Sequence, residues 1–416
     1  MSHCLIFPPM KTSFSLHLIC LTSLLLLSTP YSHARKLTHP DWVTVWATAE
    51  QLVEPHNCPP APGLGGNTLR QIVQVSGYGD TLRLRLSNAF STDSTEIKAI
   101  EIATSLTAGA QPAIDEQTTT RLTFKGQPCV TMAPGEEATS DPVMFHLTPR
   151  MNVAVTIHYG KASSTSITGH PGSRTTSYLA EGDTDDFSTA VPVNHWYSIY
   201  AIDVFTASNA QRAIAVLGNS ITDGRGSTTN EQDRWTDNLS RRLLANEATK
   251  DVSVLNFGLG GNCVLQGGLG PTGRSRYQHD LFGQKGVKYI ILFEGVNDLG
   301  SSGDALSTAR HIIRIYREII REAHKRSIRV YAATITPFKG NGYYTNDHEQ
   351  GRQLLNAWIR TSHEPDAVID FEQAVSSPDD PFQLNEAFLY ENDYLHPNAA
   401  GYQRMAECIS LSLFKE

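Results

Sequence analysis

The sequence predicts a three-layer α/β domain, built on a five-stranded parallel sheet with helices on both faces and preceded by a β-sandwich. Two changes of pattern carry this reading. In the first half, short runs such as Thr81-Leu-Arg-Leu-Arg-Leu86 alternate apolar and polar side chains with period two, as strands with one wet face require. After about residue 211, largely apolar strands alternate with helical stretches, which is the grammar of βαβ units. The length of 416 residues adds to this by ruling out one small core, since a domain takes about 100–200 residues.

In chain order, residues 1–34 read as a leader. The apolar run Phe14 to Leu27 follows Lys11 and precedes Ser32-His33-Ala34, a small-x-small cleavage pattern. Met10-Lys11 supplies the charged start that such leaders have. The run is too short to cross a bilayer core of about 30 Å, so export to the periplasm or the exterior is expected, without stable membrane insertion. Ile19 before Cys20 is too large for a lipoprotein cleavage site.

Residues 35–207 are expected to form the sandwich. Its strand candidates are Thr68 to Val75, Thr81 to Leu86, Ile97 to Ile102, Val143 to Leu147 and Met151 to His158, separated by turns such as Gly77-Tyr-Gly-Asp80 and Ala133-Pro-Gly135. Residues 208–416 are expected to form the α/β domain, with strands Ala213 to Leu217, Val252 to Phe257, Tyr289 to Phe293, Val330 to Ile335 and Val368 to Phe371. Ala309, Ile312, Ile313, Tyr316, Ile319, Ile320 and Ala323 recur at helical steps and mark one amphipathic face. A closing helix is expected from Ala399 to Leu411, with Pro397 suited to its first turn.

Hydrophobic residues at 40% and charged residues at 18% exclude disordered and low-complexity classes. The net charge of −8 gives no overall footprint for nucleic acid or anionic membranes and favours a neutral or cationic partner. Beyond the leader, Cys58, Cys129, Cys263 and Cys408 are too few for a disulfide framework. An exported chain would either pair Cys58 with Cys129 or keep all of them as thiols. No Cys/His spacing suits a structural zinc.

Ligands of open parallel sheets bind beyond the carboxyl ends of the strands. There the sequence places four chemical signals. Gly218-Asn-Ser220 follows the first strand and offers a hydroxyl nucleophile on a tight turn. Asn256-Phe-Gly258-Leu-Gly260-Gly261-Asn262 follows the second, where glycines let backbone N–H groups approach a ligand. Glu294-Gly-Val-Asn297-Asp298 follows the third, and the Asn297 amide is a neutral donor toward a developing oxyanion. Asp393-Tyr-Leu-His396-Pro397 precedes the closing helix, with a carboxylate three residues before a candidate base. Each alone has an ordinary reading as a turn or cap. Their order along the chain spells acyl transfer.

Together these residues resemble the SGNH, or GDSL-type, serine esterases and acylhydrolases, over roughly Ala213 to the C-terminus. The resemblance implies a flavodoxin-like SGNH domain in which Ser220 is the nucleophile, His396 the general base and Asp393 its orienting acid. It also implies an oxyanion hole made by the Ser220 and Gly261 N–H groups and Asn297. No metal or organic cofactor is implied. One departure stands out: the usual Gly-Asp-Ser is Gly218-Asn219-Ser220 here, which loses a charge but keeps a side-chain acceptor.

A β domain, jelly-roll-like, joined to an SGNH domain looks like carbohydrate esterases that deacetylate plant cell-wall polysaccharides, including xylan-esterase-like members. Asn67 to Val73, Leu84 to Phe90 and His195-Trp196 also resemble the N-terminal region of such proteins. An acylated carbohydrate is therefore the expected substrate. His170, Arg225 and Arg234 are candidate substrate contacts, and Trp42, Trp46, Tyr78, Trp196 and Tyr197 would either stack on sugar rings or sit in the core. The alternatives are a lipid or general carboxylesterase of the same fold, and a carbohydrate-binding protein with an inactive hydrolase domain. Val264 to Tyr277, rich in glycine and polar residues, does not read as a greasy lid.

Overall fold

The alternating runs of the first half fold into two large antiparallel sheets that share a core, beside a small sheet of Trp196–Tyr197, Thr168–His170 and Gln51–Leu52. The computed structural model describes residues 41–206 and 210–415; the expected leader lies outside them. One sheet sets Asp41–Ala47, Ile199–Thr206, Gly79–Ser87 and Glu137–Thr139 side by side, with Val143–Leu147 also on Gly79–Ser87. The other runs Val191–Val193, Ser177–Ala180, Thr68–Gln74, Asn152–Tyr159, Thr95–Ser105 and Ile114–Arg121, with Val130–Met132 also on Thr95–Ser105. Period two explains their packing. Leu82, Leu84 and Leu86 of the first sheet meet Leu69, Val73, Val153, Val155 and Ile157 of the second in one buried cluster.

The second half forms an all-parallel sheet in the order Val252–Gly258, Arg212–Gly218, Val287–Phe293, Arg329–Ala333, Ala367–Ile369. Strand Arg212–Gly218 is buried at every position, as a central strand covered on both faces must be. The predicted amphipathic face lies on helix Ala305–Lys325, where all its members from Ala309 to Ala323 are buried. That helix packs with Asn346–Thr361, and Trp235–Leu244 packs with Ala399–Cys408, so each face of the sheet has its helical layer.

Some boundaries differ from the expected ones. The last strand stops at Ile369 because Asp370 caps the short helix Phe371–Val375, its side chain accepting from Gln373 N. The closing helix begins at Ala399 with Asn398 as its cap, so Pro397 lies before the helix and not in its first turn. It ends at Cys408, and Leu411–Phe414 is a separate 3₁₀ turn. Cys58, Cys129, Cys263 and Cys408 are all free thiols, which removes the alternative of a Cys58–Cys129 bridge. No helix among the described residues is long and apolar enough to cross a membrane.

Both halves lie within one compact unit, residues 40–416. Strand Val252–Gly258 is an edge of the parallel sheet, and the sandwich meets it: Ser76 Oγ accepts from Val254 N at 3.0 Å, and Thr48 bridges to Asn256. The strand order reverses around Arg212–Gly218, so a crevice opens beyond the carboxyl ends of this strand and its neighbours.

Candidate active site

Strand Arg212–Gly218 runs directly into the one-turn helix Ser220–Asp223. Asn219 caps it, with Oδ1 accepting from Ile221 N at 3.0 Å, so the acceptor retained by Asn in place of Asp is in use. Ser220 is 6% exposed, and its Oγ lies 2.8 Å from His396 Nε2. His396 Nδ1 lies 2.5 Å from Asp393 Oδ2. The other oxygen of Asp393 accepts from the N–H groups of Leu395 and His396 at 2.9 and 2.8 Å. Burial alone would raise the Asp393 carboxyl, but these hydrogen bonds outweigh it and hold the group below its ordinary value. A carboxylate fixed in this way orients the imidazole with Nδ1–H toward itself and Nε2 toward the serine hydroxyl.

The donors expected of an oxyanion hole stand on three separate turns. Neither the Ser220 N–H nor the Gly261 N–H donates a hydrogen bond among the described residues. Gly261 has φ +67°, a left-handed corner that favours glycine, and its carbonyl accepts from Leu269 N at 3.0 Å. Asn297 is 5% exposed. One of its Nδ2 hydrogens goes to Asn262 O at 2.7 Å, and its Oδ1 accepts from the Tyr343 hydroxyl at 3.1 Å. Those two bonds fix the amide plane and leave the second Nδ2 hydrogen for a ligand.

Further residues support these groups, and one of them, Arg276, carried no sequence signal. Buried Arg276 donates to Gly218 O, Phe257 O, Asn262 Oδ1 and Asp280 Oδ2 at 2.9, 2.8, 3.1 and 2.7 Å, tying two strand ends to the glycine-rich loop. Gly258 allows that loop to approach the serine turn, since a Cβ there would lie 2.1 Å from Asp223 N. Asp298 accepts from Val264 N and Leu265 N at 2.8 and 2.9 Å, and burial pushes its carboxyl up to about 6 against those bonds. Burial likewise raises Glu294 well above the carboxylate range, with Arg276 and Asn219 opposing the rise.

The expected substrate contacts divide. His170 is 3% exposed, and its ring nitrogens are taken by Ala49 O at 2.9 Å and Asp223 Oδ1 at 3.0 Å. It braces the serine turn from the sandwich side and has no nitrogen left for substrate. Arg174 pairs with the other Asp223 oxygen at 2.5 Å. Asp223 stays below the ordinary carboxyl value because Arg174 and His170 outweigh its complete burial. Arg234 is also withdrawn: 7% exposed, it caps helix Trp235–Leu244 and bonds Asp237 and Gln232 at 2.7 Å. Arg225 is exposed, with its guanidinium 6.0 Å from the Tyr390 ring and its N–H on Ser220 O at 2.9 Å. Trp46, Trp196 and Tyr197 are core residues and not a sugar platform. Trp42 packs on Phe205 and Arg83, and the Tyr78 hydroxyl is bound to Asp251.

A doubly wound sheet with a Ser–His–Asp relay beyond its strand ends has the form of an α/β serine hydrolase. Residues 216–404 match the model of the GDSL-like Lipase/Acylhydrolase family, a family of ester hydrolases. No curated protein matches the chain. Among solved structures it is similar to a carbohydrate acetylesterase family member from Sinorhizobium meliloti, at 15% identity and TM-score 0.38, covering 49% of this chain and 97% of that one. It is similar to a GDSL-like lipase from Bacteroides thetaiotaomicron VPI-5482 at 19% identity and TM-score 0.35, covering 49% and 88%. An acetyl xylan esterase, AlAXEase, is matched at 16% identity and TM-score 0.34, covering 47% and 96%.

Proposed function

We propose that this protein is an exported serine esterase that removes O-acyl groups, above all O-acetyl, from plant cell-wall polysaccharide or oligosaccharide. The observation that carries the hydrolytic part is the continuous relay from Asp393 through His396 to Ser220, beside two backbone N–H groups without an acceptor. Ser220 Oγ attacks the ester carbonyl while His396 Nε2 takes its proton. The oxyanion is held by the Ser220 and Gly261 N–H groups and by Asn297 Nδ2. His396 returns the proton to the leaving sugar hydroxyl, leaving an acetyl ester on Ser220. Water then attacks that ester, giving up a proton to His396, and acetate and the free serine are released.

The carbohydrate part is supported by the edge of the site. Arg225 and Tyr390 give it a polar, aromatic rim suited to a hydroxylated ligand. The test is hydrolysis of p-nitrophenyl acetate, butyrate and octanoate, with acetate release from acetylated xylan, by the parent and by Ser220→Ala. Acetate preference and release from xylan, both lost in Ser220→Ala, are expected. Octanoate preference would assign the site to a lipid or general carboxylesterase, and equal rates in both proteins would remove Ser220 from the chemistry.

A further inference from the structure

We propose that the groove between helix Ala305–Lys325 and the loop after Gly261 binds an acidic glycan chain, one that carries uronic-acid carboxylates along with its acyl groups. This rests on the reading of the site as a glycan esterase and narrows its substrate. The groove encloses about 790 Å³ and is lined by Arg274, Arg314, Arg317 and Arg321 against a single acid, Glu318. Arg317 is committed to Glu364 at 2.6 to 2.9 Å, and Glu318 accepts from the Tyr277 hydroxyl at 2.8 Å. Arg274, Arg314 and Arg321 are exposed and have neither an ion pair nor a side-chain hydrogen bond among the described residues. In a chain of net charge −8, these guanidiniums, of which Arg321 also acts across space on Glu364, leave the groove lining with a local excess of positive charge.

Guanidinium is always charged, and its fork matches carboxylate oxygens two at a time. The groove is also joined to the reacting centre. Leu265 in its wall stands four residues after Gly261, a span of at most about 14 Å of chain. The Leu265 N–H is held by Asp298, the neighbour of Asn297. The link between groove and site is this shared loop, which carries Gly261 at one end and Leu265 of the groove wall at the other. The apolar lining is limited to Leu265 and the largely buried Ile315, which leaves no bed for a fatty chain.

Calorimetric titration of the full chain with an oligogalacturonate and with a neutral xylo-oligosaccharide tests this without depending on catalysis. The charged oligomer is expected to bind the tighter of the two and to weaken as salt rises. Arg314→Gln combined with Arg321→Gln should weaken it about tenfold while keeping the parent's melting curve. Arg274→Gln, on the opposite wall, gives a second variant with an effect of the same sign. Equal affinity for the two oligomers, or unchanged oligogalacturonate affinity in both variants, overturns the proposal. So does arginine-dependent binding to phosphatidylglycerol vesicles without binding to oligogalacturonate. Loss of esterase activity with intact oligogalacturonate binding would strike the hydrolytic reading alone.

Discussion

At the scale of single residues, the site works because each polar group has its alternatives removed. Asn297 has one amide hydrogen and its oxygen already bonded, so the remaining hydrogen is the one the proposed mechanism assigns to the oxyanion. Asn297→Ala should therefore lower kcat by about 10²–10³ and leave the fold intact; near-parent turnover would take Asn297 out of the site. Asn219 is the family departure, and Glu294 gives it a physical setting. A buried carboxyl already pushed well above its ordinary value stands beside the Asn219 amide. Asn219→Asp brings a second acid to that place and should cost roughly 1–3 kcal/mol of stability together with activity. Glu294→Gln should restore much of both. If Asn219→Asp alone melts and turns over like the parent, the two groups are uncoupled. The Ser220–His396–Asp393 contacts were legible because each member sits in a short local pattern, Ser220 at a strand end and Asp393 and His396 just before the closing helix. Arg276, and the link from His170 to Asp223, were not, because they act across the fold: His170 and Asp223 lie 53 residues apart.

At the scale of elements, legibility followed burial. The parallel strands and helix Ala305–Lys325 announce themselves because their apolar residues must be hidden. Strand Ile114–Arg121, with sequence IDEQTTTR, has no alternation to read; it is the edge of its sheet and held by backbone pairing to Thr95–Ser105. Elements of the two halves meet through titratable groups. The ring nitrogens of His279 lie 2.9 Å from Asp280 and 2.8 Å from Glu137 on the sandwich, and those hydrogen bonds raise its pKa from 6.5 to about 10. Burial pushes Glu50 from 4.5 up to about 8, with Ser87 opposing. Both groups bind a proton more tightly when folded, so their contribution falls as pH rises. That of Glu50 is complete below about 4.5 and lost through about 8; that of His279 is complete below about 6.5 and lost through about 10. Unfolding free energy from urea melts should decline across this window. Glu50→Gln should flatten the lower part and His279→Gln the upper. A parent profile that is level or rising there would contradict the assignment.

At the scale of the whole molecule, the sandwich does more than precede the hydrolase domain. It covers the Val252–Gly258 edge, which would otherwise present unpaired backbone groups to another chain. It also sends His170 and Arg174 into Asp223, directly behind the serine turn. Residues 210–416 made alone should therefore scatter light and show little esterase activity, whereas residues 35–416 remain monodisperse. A soluble, fully active 210–416 fragment would show that the sandwich is dispensable to the site. The break between the halves was visible in the sequence as a change of period; their mutual support was not, because it depends on Ser76, His170 and Arg174 lying far along the chain from their partners.

In the proposed mechanism Ser220 is a nucleophile activated by His396. Its most direct test is the intact mass of the protein after exposure to a fluorophosphonate, with the modified residue located by peptide mapping. One phosphonyl adduct is expected, on Ser220, formed by the parent and absent from Ser220→Ala, and formed far more slowly in His396→Ala. A parent that stays unmodified, or a Ser220→Ala protein that is labelled as fast as the parent, would contradict it.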